Sequence, residues 1–197
     1  MKVYFLKSDL NQYQIFPVPQ NIQDFVEVEI EESVELESKQ LIQFQEQYIL
    51  VARQPTELHM WNGNEWVLDE VKQARLLATQ QDEMWERIKK KRYENSLGGV
   101  FIERVGKWFQ TGEEEKTKYL GLDKVIDKLG EIDWKCTDNS FVKMSRTLLD
   151  EIFLQMVVTE NADHINAEKH RIAMMSVENP LEYDYSSGWA KIYAEGK

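Results

Sequence analysis

The sequence holds one cysteine, Cys136, in 197 residues, and a lone thiol excludes an intrachain disulfide framework. The opening, MKVYFLKSDL, turns polar too early for a secretory signal. Both features fit a reducing cytoplasm, and a virion-exposed protein without disulfides also satisfies them. No apolar run approaches the roughly 18 residues of a membrane span, so no membrane partner is expected. Basic side chains are outnumbered, 24 against 35 acidic, and the net charge of −11 repels nucleic acid and anionic lipid. The nine glycines never fall into G-x-G-x-x-G or a P-loop. Nothing therefore cradles a phosphate, and no cofactor is expected. Ser186-Ser187-Gly188-Trp189 lacks the first glycine of a nucleophile elbow.

What the chain does have is bulk. Apolar residues make up 42%, with six Trp, eight Phe and eight Tyr, enough for one large core or two small ones. The stretch from Asp69 to Ser96 contains neither proline nor glycine, so it reads as a helix of about seven turns. Asp69 is the expected N-cap, and Gly98-Gly99 the stop. Val71, Ala74, Leu77 or Ala78, Met84 or Trp85, and Ile88 recur at helical steps and predict one buried stripe. The same stripe could mark a short coiled coil, but Gln81 interrupts it; packing within its own chain is the expectation.

The segments before this helix read as short strands. KVYFL (2–6) and YQIF (13–16) predict a hairpin joined by KSDLNQ, and DFVEVEI (24–30) alternates as a half-exposed strand. Residues 31–40 read as a short polar helix capped at Ser33, followed by a hairpin of 41–44 with 48–53. Asn62-Gly63 between apolar flanks predicts a third hairpin, with Trp61 and Trp66 as cross-strand neighbours.

After the helix, residues 98–111 predict a hairpin turning at Val105-Gly106. Thr111 and Glu114 form a capping box for a helix reaching about Leu129. Residues 132–144 predict another hairpin, turning at Asp138-Asn139. Ser145 then caps a long helix that buries Leu148, Leu149, Ile152, Phe153, Met156 and Val157 and extends toward Glu178. The aromatic tail, 181–197, is a packed extension or a partner-binding segment.

No catalytic or metal constellation stands out. His164 and His170 are six residues apart where a helical metal site wants four, and both read as surface histidines. Cys136 has no CxxC partner and reads as a small strand residue. Lys89 to Arg92 is the one basic cluster. It complements a helix C-terminus better than it makes a nucleic-acid patch.

Two stretches carry a family likeness. MWNGNEWVLDEVKQ (60–73) resembles the aromatic-Asn-Gly-x-x-Trp-Val segment, with its polar helix, of caudoviral tail-fibre assembly proteins. Residues 2–28 are similar to the N-termini seen there. GGVFIERVGKWFQTGEEEKTKYLG through IDWKCTDNSFVKMS (98–145) looks like an uncharacterised domain common at the C-termini of phage and prophage tail-fibre-associated proteins.

The expected architecture is α+β. An antiparallel β-meander module (1–68) is followed by a connecting helix (69–97), a module of two β-hairpins and two helices (98–180), and the tail (181–197). The resemblance implies a non-enzymatic tail-fibre assembly protein that binds a trimeric fibre in the host bacterial cytoplasm and assists its folding. Trp61, Trp66, Phe25 and Val28 are the candidate contacts, and self-association is left open. A component retained on the virion fibre is the first alternative. A small hydrolase using Cys136 or the late histidines is the second.

Overall fold

A computed structural model describes residues 1–193. The chain divides into two compact units, Met1–Arg75 and Leu76–Lys197, and the division falls inside a long helix. The fold class is α+β.

In the first unit, β1 (Lys2–Leu6) is the centre of a three-stranded antiparallel sheet between β2 (Asp9–Gln14) and β3 (Phe25–Glu29). The second strand begins earlier than expected. Chain reversal takes only Lys7-Ser8, so most of KSDLNQ is strand, and 15–16 lie outside it. Val3 and Phe5 pair with Val28 and Val26, and these side chains join Ile30, Leu36 and Leu41 in the core. On the opposite face of β1 and β3, Lys2 meets Glu27 at 2.5 Å.

The helix expected at 31–40 does not form. Only a 3-10 turn, Leu36–Ser38, is present, and Lys39 and Gln40 already belong to β4 (Lys39–Phe44). Four acidic residues crowd 31–37, an unfavourable helix surface, and burying Val34 and Leu36 in the sheet core fixes the chain instead. β4 pairs with β5 (Gln47–Ala52) through Gln45-Glu46, both at positive φ, a tight two-residue hairpin. The last hairpin, β6 (His59–Trp61) and β7 (Trp66–Leu68), closes with the four residues 62–65. There the Asn62 carboxamide oxygen accepts from the amides of Asn64 and Glu65 at 2.9 Å, and only Gly63 takes positive φ.

Helix α1 (Glu70–Ser96) is capped as expected: Asp69 Oδ1 accepts from the amides of Val71 and Lys72 at 3.1 Å. The predicted stripe is buried only in its second half. Met84 and Ile88 are in the core, while Val71 is 60% exposed and Ala74 and Ala78 also face solvent.

The second unit packs two hairpins, β8 (Val100–Ile102) with β9 (Lys107–Phe109) and β10 (Ile132–Lys135) with β11 (Phe141–Met144), around helices α2 (Glu113–Asp123), α3 (Ile126–Leu129) and α4 (Arg146–Met174). Phe109, Ile126, Met144, Leu149 and Ile152 are fully buried in its core. Tyr119 stacks on Trp134 at 5.1 Å, and burial pushes its phenol up to about 12.

Thr111 does not cap α2. Its hydroxyl donates to Ser96 O at 2.7 Å and accepts from Gly99 N at 3.0 Å, tying the end of α1 to the hairpin and leaving Gly112 as N-cap. The expected single helix to Leu129 breaks at Lys124-Val125. There Arg146 draws in Asp123 and Asp127.

Ser145 caps α4, accepting from Leu148 N at 3.4 Å. The helix ends at Met174, short of Glu178, and Val157 is 66% exposed rather than buried. The tail through Tyr193 is packed: Tyr183, Tyr185 and Trp189 lie against Met84, Ile88, Ala167 and Met174.

Candidate partner-binding surfaces

Of the four contact residues predicted in the first unit, none is fully exposed. Trp61 and Trp66 are cross-strand partners with rings 5.5 Å apart, edge to face, an arrangement aromatic pairs favour. Trp66 Nε1 donates to Ala52 O at 2.7 Å, which ties this hairpin to β5. Trp61 Nε1 is buried without an acceptor among the described residues. Phe25 and Val28 are half-buried on β3. That strand is an edge of its sheet, hydrogen-bonded only to β1. Such an edge offers backbone groups to an added strand.

In the second unit an open groove of about 580 Å³ lies between the β8–β9 hairpin and α4. Phe101 and Trp108, 5.5 Å apart, line it with Leu154 and Lys191. At its rim Arg104 Nε donates to both carboxylate oxygens of Glu151, at 2.8 and 3.0 Å. That hydrogen bond raises the guanidinium above its ordinary value. Phe101 is 39% exposed and Leu154 66%, so the groove is an amphipathic surface. The outer face of α4 continues it with Val158, Ile165 and Ile172, all in solvent.

The histidines separate. His164 is exposed, with Nδ1 2.9 Å from Glu160 O. His170, expected on the surface, is buried between α4 and the tail. Its Nε2 lies 2.9 Å from Ser187 O, its Nδ1 2.9 Å from the Tyr183 hydroxyl, and its ring stacks on Trp189. A ring protonated at Nε2 donates to the carbonyl, and Nδ1 then accepts from the phenol.

Beside it, buried Asp163 accepts from Asn95 Nδ2 at 3.0 Å and from Ala190 N at 2.8 Å. These contacts position the tail, and no spacing in the sequence announces them.

Cys136 sits just beyond β10, 2% exposed within the apolar core, and burial raises its thiol. Among the described residues no cluster of three or more His, Cys, Asp or Glu could hold a metal ion. The basic cluster is partly neutralised within α1, where Lys89 meets Glu86 at 2.5 Å and Lys90 meets Glu94 at 3.8 Å. No helix among the described residues is long and apolar enough to cross a membrane.

Residues 79–187, most of the second unit, match the family described as Domain of unknown function (DUF4376), and the chain belongs to that family. It is also 52% identical over 118 residues to an "Uncharacterized 23.3 kDa protein in lys 3'region" of Haemophilus phage HP1 (strain HP1c1). That match takes in 60% of this chain and spans about half, 54%, of the relative's length. The expectation of a phage-related protein carrying a domain of unknown function is met. No solved structure matches the chain.

Proposed function

We propose that this chain is a phage tail-fibre assembly protein. It binds a trimeric fibre, assists its folding or trimerisation, and catalyses no reaction. The observation that carries the reading is the Trp61–Trp66 hairpin running directly into α1. That segment resembles tail-fibre assembly proteins, and it stands here in a chain with a phage-encoded relative.

The physical role follows from the partner. A β-rich trimer has unpaired edges and exposed apolar faces until its chains meet, and such intermediates aggregate. The open edge of β3 with Phe25 and Val28, and the aromatic hairpin, are surfaces that cover strands. The acidic excess keeps the resulting complex soluble. A hydrolase built on Cys136 finds no support, because the thiol is buried and its pKa raised.

Co-expression with the fibre chain encoded nearest its gene tests the proposal. Soluble trimeric fibre is expected only when this chain is present. Fibre that trimerises equally well alone, and never co-elutes with this chain, overturns it. Stable co-elution after assembly would point to a retained component rather than a released helper.

A further inference from the structure

Of the asparagines in the chain, Asn62 alone is followed by glycine. An asparagine side chain is lost when the next residue's backbone nitrogen attacks its carbonyl carbon. That step wants a free and uncrowded attacking N–H. It also wants donors on the carboxamide oxygen as negative charge develops there.

The turn between β6 and β7 supplies all of these. Residues 62–65 are exposed, and glycine at 63 places no side chain beside the attacking nitrogen. The Gly63 N–H makes no hydrogen bond among the described residues. Asn62 Oδ1, by contrast, accepts from the amides of Asn64 and Glu65, both at 2.9 Å. Two N–H donors identify that atom as the carboxamide oxygen and hold it in one orientation. They also form a small oxyanion hole, since backbone donors at about 2.7–3.1 Å stabilise a tetrahedral oxyanion more than a carbonyl.

The other asparagines each lack a condition. Asn139 also lies in a hairpin turn, but the following amide, Ser140 N, already donates to Asp138 Oδ1 at 3.0 Å. The amide after Asn64 is the Glu65 N–H held by Asn62. Asn95, Asn161 and Asn166 lie within helices, where backbone amides serve the helical ladder. Asn179 precedes proline, which has no N–H. Side chains of Gln12 and Ile22 crowd the nitrogens after Asn11 and Asn21.

We infer that Asn62 is a site of spontaneous deamidation and isomerisation, promoted by the fold of its own turn. Gly63 N gives up its proton to solvent and attacks Asn62 Cγ. The Cγ–Nδ2 bond breaks, and Nδ2 takes up a proton and leaves as ammonia. A five-membered succinimide remains. Water then opens one of its two carbonyl–nitrogen bonds. Opening at Cγ gives aspartate, and opening at the main-chain carbonyl gives isoaspartate, whose backbone runs through Cβ and Cγ. One water enters, one ammonia leaves, and nothing is oxidised or reduced.

Isoaspartate inserts an extra backbone atom into the four-residue closure that sets Trp61 opposite Trp66. It also removes the side-chain oxygen from the two amides. The aromatic hairpin therefore carries a slow, one-way change that disrupts its own pairing. This chemistry is independent of the tail-fibre reading, and either can fail alone.

Ageing the full chain at pH 8 and 37 °C tests the inference. The tryptic peptide 54–72 should become heavier by the difference between water and ammonia, and isoaspartyl methyltransferase should label it. The remaining asparagines should stay intact over the same interval. The decisive comparison is with the same chain unfolded in urea at the same pH and temperature. Folded Asn62 should react at least about threefold faster, because only the folded turn holds both donors on Oδ1. A folded rate equal to or below the unfolded one overturns the inference, and so does any other asparagine that keeps pace. The circular-dichroism couplet of the Trp61–Trp66 pair should decline in step with isoaspartate. Asn62→Asp, which brings the charge and an acceptor without the extra backbone atom, should retain that couplet. A couplet that outlasts full conversion to isoaspartate overturns the link to the aromatic pair.

Discussion

Asn95 and Asp163, 68 positions apart in sequence, meet through a 3.0 Å hydrogen bond between α1 and α4. Both are buried, and both also hold Ala190 of the tail: Asn95 Nδ2 donates to its carbonyl and Asp163 Oδ1 accepts from its amide. Removing the carboxylate strands two buried donors, and each such loss costs about 1–3 kcal/mol. Asp163→Ala should therefore lower stability in urea by about 2–3 kcal/mol. It should also open residues 181–193 to protease under native conditions. Asp163→Asn, which keeps one acceptor, should cost less. Unchanged unfolding together with an equally resistant tail would contradict this account.

That network shows where sequence reading stops. Asp69, Ser145 and the Asn62-Gly63 turn were legible because each acts on amides within a few residues of itself. The same local logic fails at Thr111, whose hydroxyl is taken by Ser96 O and Gly99 N rather than by its own helix. It also fails at His170, a polar residue whose two partners come from the tail. Val157 reads as core because helical periodicity reports that a face is apolar, not whether anything covers it. α4 has two such faces, and Leu154 and Ile165 belong to the uncovered one. At the candidate contacts, the pairing of Trp61 with Trp66 followed from the turn. The hydrogen bond from Trp66 to Ala52 depended on a neighbouring hairpin that sequence does not place.

Gly98 gives the tail a second anchor. Its carbonyl accepts from Tyr193 N at 2.9 Å, and a Cβ built at this glycine would lie 2.3 Å from Ile192 Cγ2. Gly98→Ala should displace the end of the tail and destabilise the fold by about 1–3 kcal/mol, the usual cost of overpacking. Trypsin cleavage after Lys191 in the native protein should accelerate. Gly121→Ala serves as the contrast. A Cβ there meets nothing within 4 Å, and within α2 alanine is favoured over glycine by about 1 kcal/mol. Opposite signs for the two variants in one urea series are the expected result.

Cys136 should be chemically silent in the folded protein. Its thiol is 2% exposed and raised by burial, and the thiolate is the reactive form. An aromatic disulfide reagent at pH 8 should release no chromophore from native protein and one equivalent after denaturation. Rapid native labelling would place Cys136 at an accessible, activated position and revive a nucleophilic role for it.

The loop of the β10–β11 hairpin should make stability depend on acid in a defined direction. Asp138 accepts from Lys107 Nζ at 2.8 Å, from Ser140 Oγ at 2.5 Å and from Ser140 N at 3.0 Å. The Lys107 hydrogen bond, then those from Ser140, hold its carboxyl well below the usual carboxylate range. Lys107 is correspondingly raised by Asp138. A depressed folded pKa means that the unfolded chain binds the proton first as pH falls. The stabilisation from Asp138 is therefore fully present above the unfolded value of about 3.9. It is lost progressively as pH drops toward the folded value. Lys107 works at the other end: its raised folded pKa keeps its contribution whole below about 10.4, and that contribution fades as pH rises through the folded value. The gap in urea midpoint between wild type and Asp138→Ala should consequently be flat from pH 8 to 5 and narrow below pH 4. A gap that stays constant or widens on acidification would show that the carboxylate gains nothing from Lys107 and Ser140.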